Sequence, residues 1–127
     1  MNKTINLIIR IIIAILLLQT LYFKFTAHPD SVYIFSKIGM EPYGRVGTGI
    51  MELIASFLIL LNRTQWLGAL LALGLMLGAV FFHVTKLGIE VNNDGGLLFG
   101  MAVFIFVLSL VVLWINRTNI PIIKKNR

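Results

Sequence analysis

Four stretches of this 127-residue sequence are apolar enough to be membrane helices, at about residues 5–23, 46–61, 66–85 and 97–115. At a rise of about 1.5 Å per residue, roughly 20 residues cross a hydrocarbon core about 30 Å thick. The second stretch is the shortest, and it contains Glu52. The short spacers at 62–65 and 86–96 favour antiparallel neighbours. The pattern predicts an all-α membrane protein, a single-domain antiparallel bundle of four transmembrane helices over 1–127.

The composition excludes most other classes of protein. Hydrophobic residues make up 58% of the chain and charged residues only 13%, whereas soluble domains are about 25% charged. The chain contains no cysteine, so disulfides, thiolate metal sites and cysteine nucleophiles are ruled out. With two histidines and no catalytic or nucleotide-binding motif, we expect no metal or haem site and no autonomous catalytic centre.

The basic residues are unevenly divided between the two sides of the predicted bundle. If the amino terminus is cytoplasmic, seven lie on that side: Lys3, Arg10, Arg63, Arg117, Lys124, Lys125 and Arg127. Four lie on the other side, Lys24, Lys37, Arg45 and Lys86, together with four acids, Asp30, Glu41, Glu90 and Asp94. This bias predicts a multi-pass plasma (inner) membrane protein with both termini in the cytoplasm. The net charge of +6 then reports orientation or contact with anionic lipid, and we expect no nucleic-acid partner.

The segment between the first two apolar stretches has a helical pattern of its own. Pro29 suits a first helical position, Val32, Phe35 and Ile38 recur at intervals of three, and Gly39 suits the position after the last turn. We expect a short amphipathic helix at about 29–38, lying at the outer membrane surface. The turn at 93–96 closes the later outer loop.

Glu52 is the residue that most needs an explanation, because an ionised group facing lipid near mid-bilayer costs about 2.5–3.5 kcal/mol on insertion scales. It lies seven residues after Arg45, on nearly the same helical face. Lys24, at the outer end of the first stretch, is another candidate partner. The carboxylate either forms a structural ion pair with one of these bases or belongs to a polar site that binds a ligand or takes up a proton.

Four further polar residues lie near the outer end of the bundle. His83 and Lys86 are spaced i, i+3 at the end of the third stretch, Gln19 lies about one turn inward from the end of the first stretch, and Tyr22 lies in its last turn. A binding site could use them to hold a polar headgroup or to relay a proton between His83 and Glu52. Alternatively, His83 is structural and Lys86 extends to the interface.

Small residues recur at helical spacing. Gly74 and Gly78 lie in the third stretch, Gly96 and Gly100 at the start of the fourth, and Gly47 and Gly49 at the start of the second. Such pairs let helix backbones approach closely. We therefore predict packing contacts at these glycines, within one chain or between chains.

Several motifs together resemble the DoxX family. They are Leu21-Tyr22-Phe23-Lys24-Phe25, Ile38 to Arg45, Gly49-Ile50-Met51-Glu52-Leu53, and His83 to Ile89 leading into Asp94-Gly95-Gly96. The resemblance covers essentially the whole chain, and it implies that Lys24, Arg45, Glu52 and His83 form a family site. It also implies a role as a partner of a redox complex or as a factor in the assembly of another membrane protein. Members of the family share no single chemistry.

Two functions are consistent with this resemblance. The first is a membrane subunit or accessory factor of an oxidoreductase system linked to quinone. Lys24 and His83 would contact a carbonyl or anionic headgroup, Glu52 would accept a proton, and a partner would transfer electrons. The alternative is a non-catalytic factor that assembles another membrane protein through its glycine-rich faces. A third hypothesis is a small-solute transporter, which would require a homo-oligomer.

Overall fold

The computed structural model describes residues 3–26, 28–41, 43–88 and 96–117, apart from the side chain of Asp30. The helices are α1 (Lys3–Phe25), α2 (Pro29–Lys37), α3 (Tyr43–Leu60), α4 (Gln65–Phe82) and α5 (Leu97–Ile115), and α4 continues into one π-helical turn at His83–Leu87. Four of these segments are long and apolar enough to cross a membrane. The predicted four-helix fold with a short additional helix is therefore confirmed.

The predicted helix bounds agree closely with the structure. The fourth span matches at both ends, and α2 ends one residue earlier than predicted. The second span begins at Tyr43 instead of residue 46, which gives it 18 residues and removes its apparent shortness. The turn at 93–95, the acids at 90 and 94 and the basic residues beyond Arg117 lie outside the described residues.

The four long helices surround one apolar core. α1 packs against α3 and α5, and α4 packs against the same two helices. Large side chains with almost no exposure fill the centre, including Ile13, Leu17, Ile59, Ile105 and Val112. Many other large apolar side chains are exposed on the outside, as expected for helices whose surroundings are lipid.

Two ends of the bundle are distinguished by their connections. The α2 end contains the last turns of α1 and α4 and the first turns of α3 and α5. The Gln65 end contains the first turns of α1 and α4 and the last turns of α3 and α5. The α2 helix lies against α1, α3 and the π-helical turn. It therefore covers the end of the bundle that is named after it.

Within the chain, most of the glycines predicted to pack make no close contact with another helix. A Cβ added to Gly47, Gly74, Gly78 or Gly100 would meet no atom within 4 Å. Gly49 does pack closely, against the ring of Phe25. Gly96 instead has a positive φ of 85° just before α5 begins, so its role there is conformational.

The closest helix approach is at Gly68, which the sequence analysis did not single out. A Cβ there would lie 2.8 Å from Ile59 Cα and 2.9 Å from the carbonyl oxygen of Ala55. The missing side chain therefore lets α4 approach the backbone of α3.

Candidate functional site

A cavity of about 520 Å³ lies at the α2 end of the bundle. Its walls are mostly apolar, and they come from all five helices and the π-helical turn. Such a volume is in the usual range for small-molecule sites, about 300–1,000 Å³. The polar lining residues are Gln19, Thr20, Lys24, His28, Ser31, Thr48, Glu52 and His83.

Glu52 lies on the inward face of α3 with only 1% of its surface exposed. Its Oε1 is 2.7 Å from Lys24 Nζ, and Thr20 Oγ1 donates a hydrogen bond to its Oε2. The Lys24 ammonium therefore neutralises a carboxylate whose Oε1 is enclosed by the protein. A charged pair borders the cavity.

Arg45 is not a partner of Glu52, although the sequence analysis left that pairing open. Its Nε donates to both carboxylate oxygens of Glu41, at 2.8 and 3.0 Å, and its Nη1 donates to the carbonyl oxygen of Lys24. Because that carbonyl lies in the last turn of α1, where helix carbonyls lack partners within the helix, Arg45 ties the end of α1 to the start of α3.

His83 begins the π-helical turn and is 95% buried, with 5% of its surface exposed. Its Nδ1 is 3.0 Å from the carbonyl oxygen of Gly88, and its ring packs edge-to-face on Phe99 with centroids 5.6 Å apart. It lines the same cavity as Lys24 and Glu52. Its hydrogen-bond and ring partners in the described residues do not include Glu52, so the structure shows no direct His83–Glu52 relay.

Three residues of the predicted cluster do not line the cavity, namely Arg45, Lys86 and Tyr22. Lys86 is exposed, because the wider π-helical turn between it and His83 does not keep residues three apart on one face. Tyr22 is 63% exposed and packs edge-to-face on Phe23, with centroids 5.8 Å apart. Gln19 does line the cavity.

Several lining residues were missed by the sequence analysis. Thr20 precedes Lys24 by four residues and Thr48 precedes Glu52 by four, a spacing that places each pair on one helical face. That spacing could have revealed both threonines. Gly74 and Gly78 of α4, which the sequence analysis named as packing residues, also line the cavity, and their missing side chains leave space there.

A second buried polar cluster lies at the Gln65 end. The side-chain amides of Asn6 and Asn116 both donate to Gln65 Oε1, each at 2.8 Å, and Gln65 Nε2 donates to the carbonyl oxygen of Asn62 at 3.1 Å. These bonds join α1, α4 and the residue that follows α5. None of these amide side chains lines the cavity.

Arg10 belongs to the same end and is 98% buried, with 2% of its surface exposed. It donates to the carbonyl oxygens of Ile59 at 2.7 Å and Leu60 at 2.9 Å, and to Asn62 Oδ1 at 3.3 Å. Those carbonyls end α3 and have no partner within that helix. Arg10 therefore caps α3 inside the bundle.

A family model described as DoxX matches residues 5–85, which include Lys24, Arg45, Glu52 and His83. No curated protein and no solved structure matches the chain. Within the described ranges, no group of three or more His, Asp and Glu side chains is placed to hold a metal ion.

Proposed function

The chain belongs to the DoxX family of membrane proteins, and from that premise we propose that its cavity binds the head of a membrane-soluble quinone. In this proposal the protein is a membrane subunit or accessory factor of an oxidoreductase, and a partner transfers the electrons. The observation that carries the proposal is the buried Lys24–Glu52 ion pair in the wall of a mostly apolar cavity.

The lining has the two parts that such a ligand needs. Apolar side chains from α2, α4 and α5 make up most of the walls, which suits a flat ring and the start of a hydrocarbon tail. The ammonium group of Lys24 is a hydrogen-bond donor for a carbonyl oxygen. Glu52 balances that charge, so the cavity need not hold an anion.

The proposal includes an orientation. The Lys and Arg bias of the sequence favours cytoplasmic termini in the plasma membrane, which would place the α2 end and its cavity on the outer side. A quinone head could then enter from the outer half of the bilayer.

The decisive experiment uses Gly78→Leu and measures the quinone that remains on the purified protein. Because a Cβ at Gly78 meets open space and Gly78 lines the cavity, a leucine would fill the site without moving a helix. The protein is purified in mild detergent without added quinone, and its bound lipids are identified by mass spectrometry. We expect quinone at about one per protein in the wild type and a loss of about tenfold in Gly78→Leu, a difference of about 1.4 kcal/mol in binding.

Gly100→Leu is the matched control. Gly100 also has open space beyond its Cα but does not line the cavity. We expect this variant to retain quinone like the wild type. Absence of quinone from the wild type, together with no binding of added quinone, would contradict the proposal.

One observation favours the assembly factor as a second candidate. Gly47 and Gly100 are small residues off the cavity with open space beside them, where a helix of another protein could approach. If this is their role, Gly100→Leu should reduce the partner protein that co-purifies while the quinone content stays unchanged. Quantitative mass spectrometry of both variants separates the two functions.

A further inference from the structure

The hydrogen-bonding state of His83 is fixed by its surroundings. Its Nδ1 lies 3.0 Å from the carbonyl oxygen of Gly88, and a carbonyl oxygen can only accept a hydrogen bond. Nδ1 therefore carries the hydrogen. In the neutral imidazole the other nitrogen, Nε2, then has a lone pair and acts as an acceptor.

The local backbone explains why this arrangement is maintained. His83 is the first residue of the π-helical turn, and Gly88 ends the turn with a φ of 82°, a conformation that side-chain-bearing residues rarely adopt. The carbonyl of Gly88 is thereby directed back to the ring of the residue that begins the same turn. The edge-to-face contact with Phe99 supports the ring from α5.

Nε2 has no protein partner within the part of the chain that the structure describes, since the Gly88 bond and the Phe99 contact are the only interactions of His83 there. His83 is almost entirely buried and lines the cavity. An acceptor without a protein partner, on a residue that lines a cavity, is best satisfied by a ligand that donates a hydrogen bond.

We infer that the cavity selects a ligand whose polar end carries a hydroxyl donor, and that His83 is the residue that recognises this donor. The inference rests on the proposed function, and in its terms the reduced quinol is bound in preference to the oxidised quinone. A quinone has only acceptors and would leave Nε2 without a hydrogen bond. His83 is thus a specificity-determining residue, and no reaction step is assigned to it.

The test compares three ligands of one shape on the purified full-length protein without oxygen. They are a benzoquinone with a ten-carbon side chain, its quinol, and the dimethyl ether of that quinol, which has the reduced ring without the donors. We expect the quinol to bind about tenfold more tightly than the quinone or the ether, the effect of about 1.4 kcal/mol from hydrogen bonds that only the quinol makes.

Two variants of His83 separate recognition from packing. His83→Gln can place an amide oxygen near the position of Nε2, whereas His83→Asn reaches only as far as Nδ1. We expect the quinol preference to remain in His83→Gln and to disappear in His83→Asn, with quinone affinity changed by less than about twofold. Lys86→Gln, exposed on the same turn, is the control and should keep the preference.

The outcomes are distinguishable. Equal binding of all three ligands by the wild type would overturn this inference and leave the proposed function standing. A preference that persists in His83→Asn would also overturn it, since another group would then recognise the hydroxyl. Failure of every ligand to bind the wild type would overturn the proposed function itself. If His83→Asn does not fold, the wild-type comparison of quinol with its dimethyl ether still decides the inference.

Discussion

The two ends of the bundle each contain a buried polar cluster, and the clusters differ in what surrounds them. At the Gln65 end, the amides of Asn6, Gln65 and Asn116 bond to one another. At the α2 end, Lys24 and Glu52 form an ion pair beside a cavity of about 520 Å³. Both clusters join α1 to other helices within the bundle.

The difference separates polar groups that stabilise the fold from polar groups that are available to a ligand. At the Gln65 end, two amides donate to Gln65 Oε1, and none of these amide side chains lines the cavity. The Lys24–Glu52 ion pair lies in the wall of the cavity, where a ligand could reach the Lys24 ammonium. Changes at the Gln65 end should therefore alter stability, and changes at the α2 end should alter binding.

The largest expected loss of stability is for Arg10→Met. The substitution keeps an unbranched side chain but removes the donors to the carbonyl oxygens of Ile59 and Leu60. Two buried carbonyls without partners should lower the free energy of unfolding by about 3 kcal/mol. Thermal unfolding in detergent measures this loss, with Arg117→Met as the control because Arg117 is exposed. Equal midpoints for the two variants would contradict the capping role.

A smaller loss is expected for Gln65→Leu, and Gln19→Leu is its matched control at the other end. Gln65 is buried and accepts two amide hydrogen bonds, so its loss should cost about 1–2 kcal/mol in this membrane setting. Gln19 is exposed and lines the cavity, so its substitution should alter ligand affinity more than stability. The comparison fails if Gln65→Leu weakens quinone binding and leaves the unfolding midpoint unchanged.

The fold followed from features that are local in sequence. Apolar length predicts each span, and Pro29 and Gly39 mark the ends of a short helix. The start of α3 was missed by three residues because Gly44, Arg45 and Gly47 lower the apolar content there. Those residues are tolerated because Arg45 is bonded to Glu41 and to α1, a tertiary contact that no local pattern reveals.

The site was only partly predictable for a similar reason. The cost of placing a charged group inside the membrane singled out Glu52. The order of the helices placed Lys24 at the same end of the bundle. The rotation of each helix about its axis decides the rest, so Tyr22 and Lys86 are directed away from the cavity while Thr20 is directed toward it. The π-helical turn changes that rotation at His83, and its sequence gives no signal that we recognised.

Removing both charges from the α2 end should have little net effect on stability. In the double variant Lys24→Met/Glu52→Leu, no buried charge loses its partner, and such replacements are often neutral or stabilising. Either single variant leaves one charge uncompensated and should unfold at a lower temperature than the double. Quinone retention should fall in all three variants. A double variant that keeps its quinone would show that the ion pair is structural, like the Gln65 cluster.

The smallest expected effect is that of Thr20→Val. This variant tests whether the hydrogen bond from Thr20 to Glu52 contributes to ligand affinity. The substitution keeps the shape of the side chain but removes the hydroxyl that donates to Glu52 Oε2. Because a hydrogen bond between membrane helices contributes about 0.6 kcal/mol, stability should change little and ligand affinity by about twofold to threefold. Thr26→Val is the control, since Thr26 is exposed and its hydroxyl donates to the carbonyl of Tyr22, on the same helix. Without the hydroxyl of Thr20, Glu52 would interact more strongly with Lys24. The Lys24 ammonium would then be less available to the ligand, so ligand affinity should fall even though no ligand contact is removed. A fall in stability without any fall in affinity would instead show that Thr20 has a structural role between α1 and α3, like that of the amides at the Gln65 end.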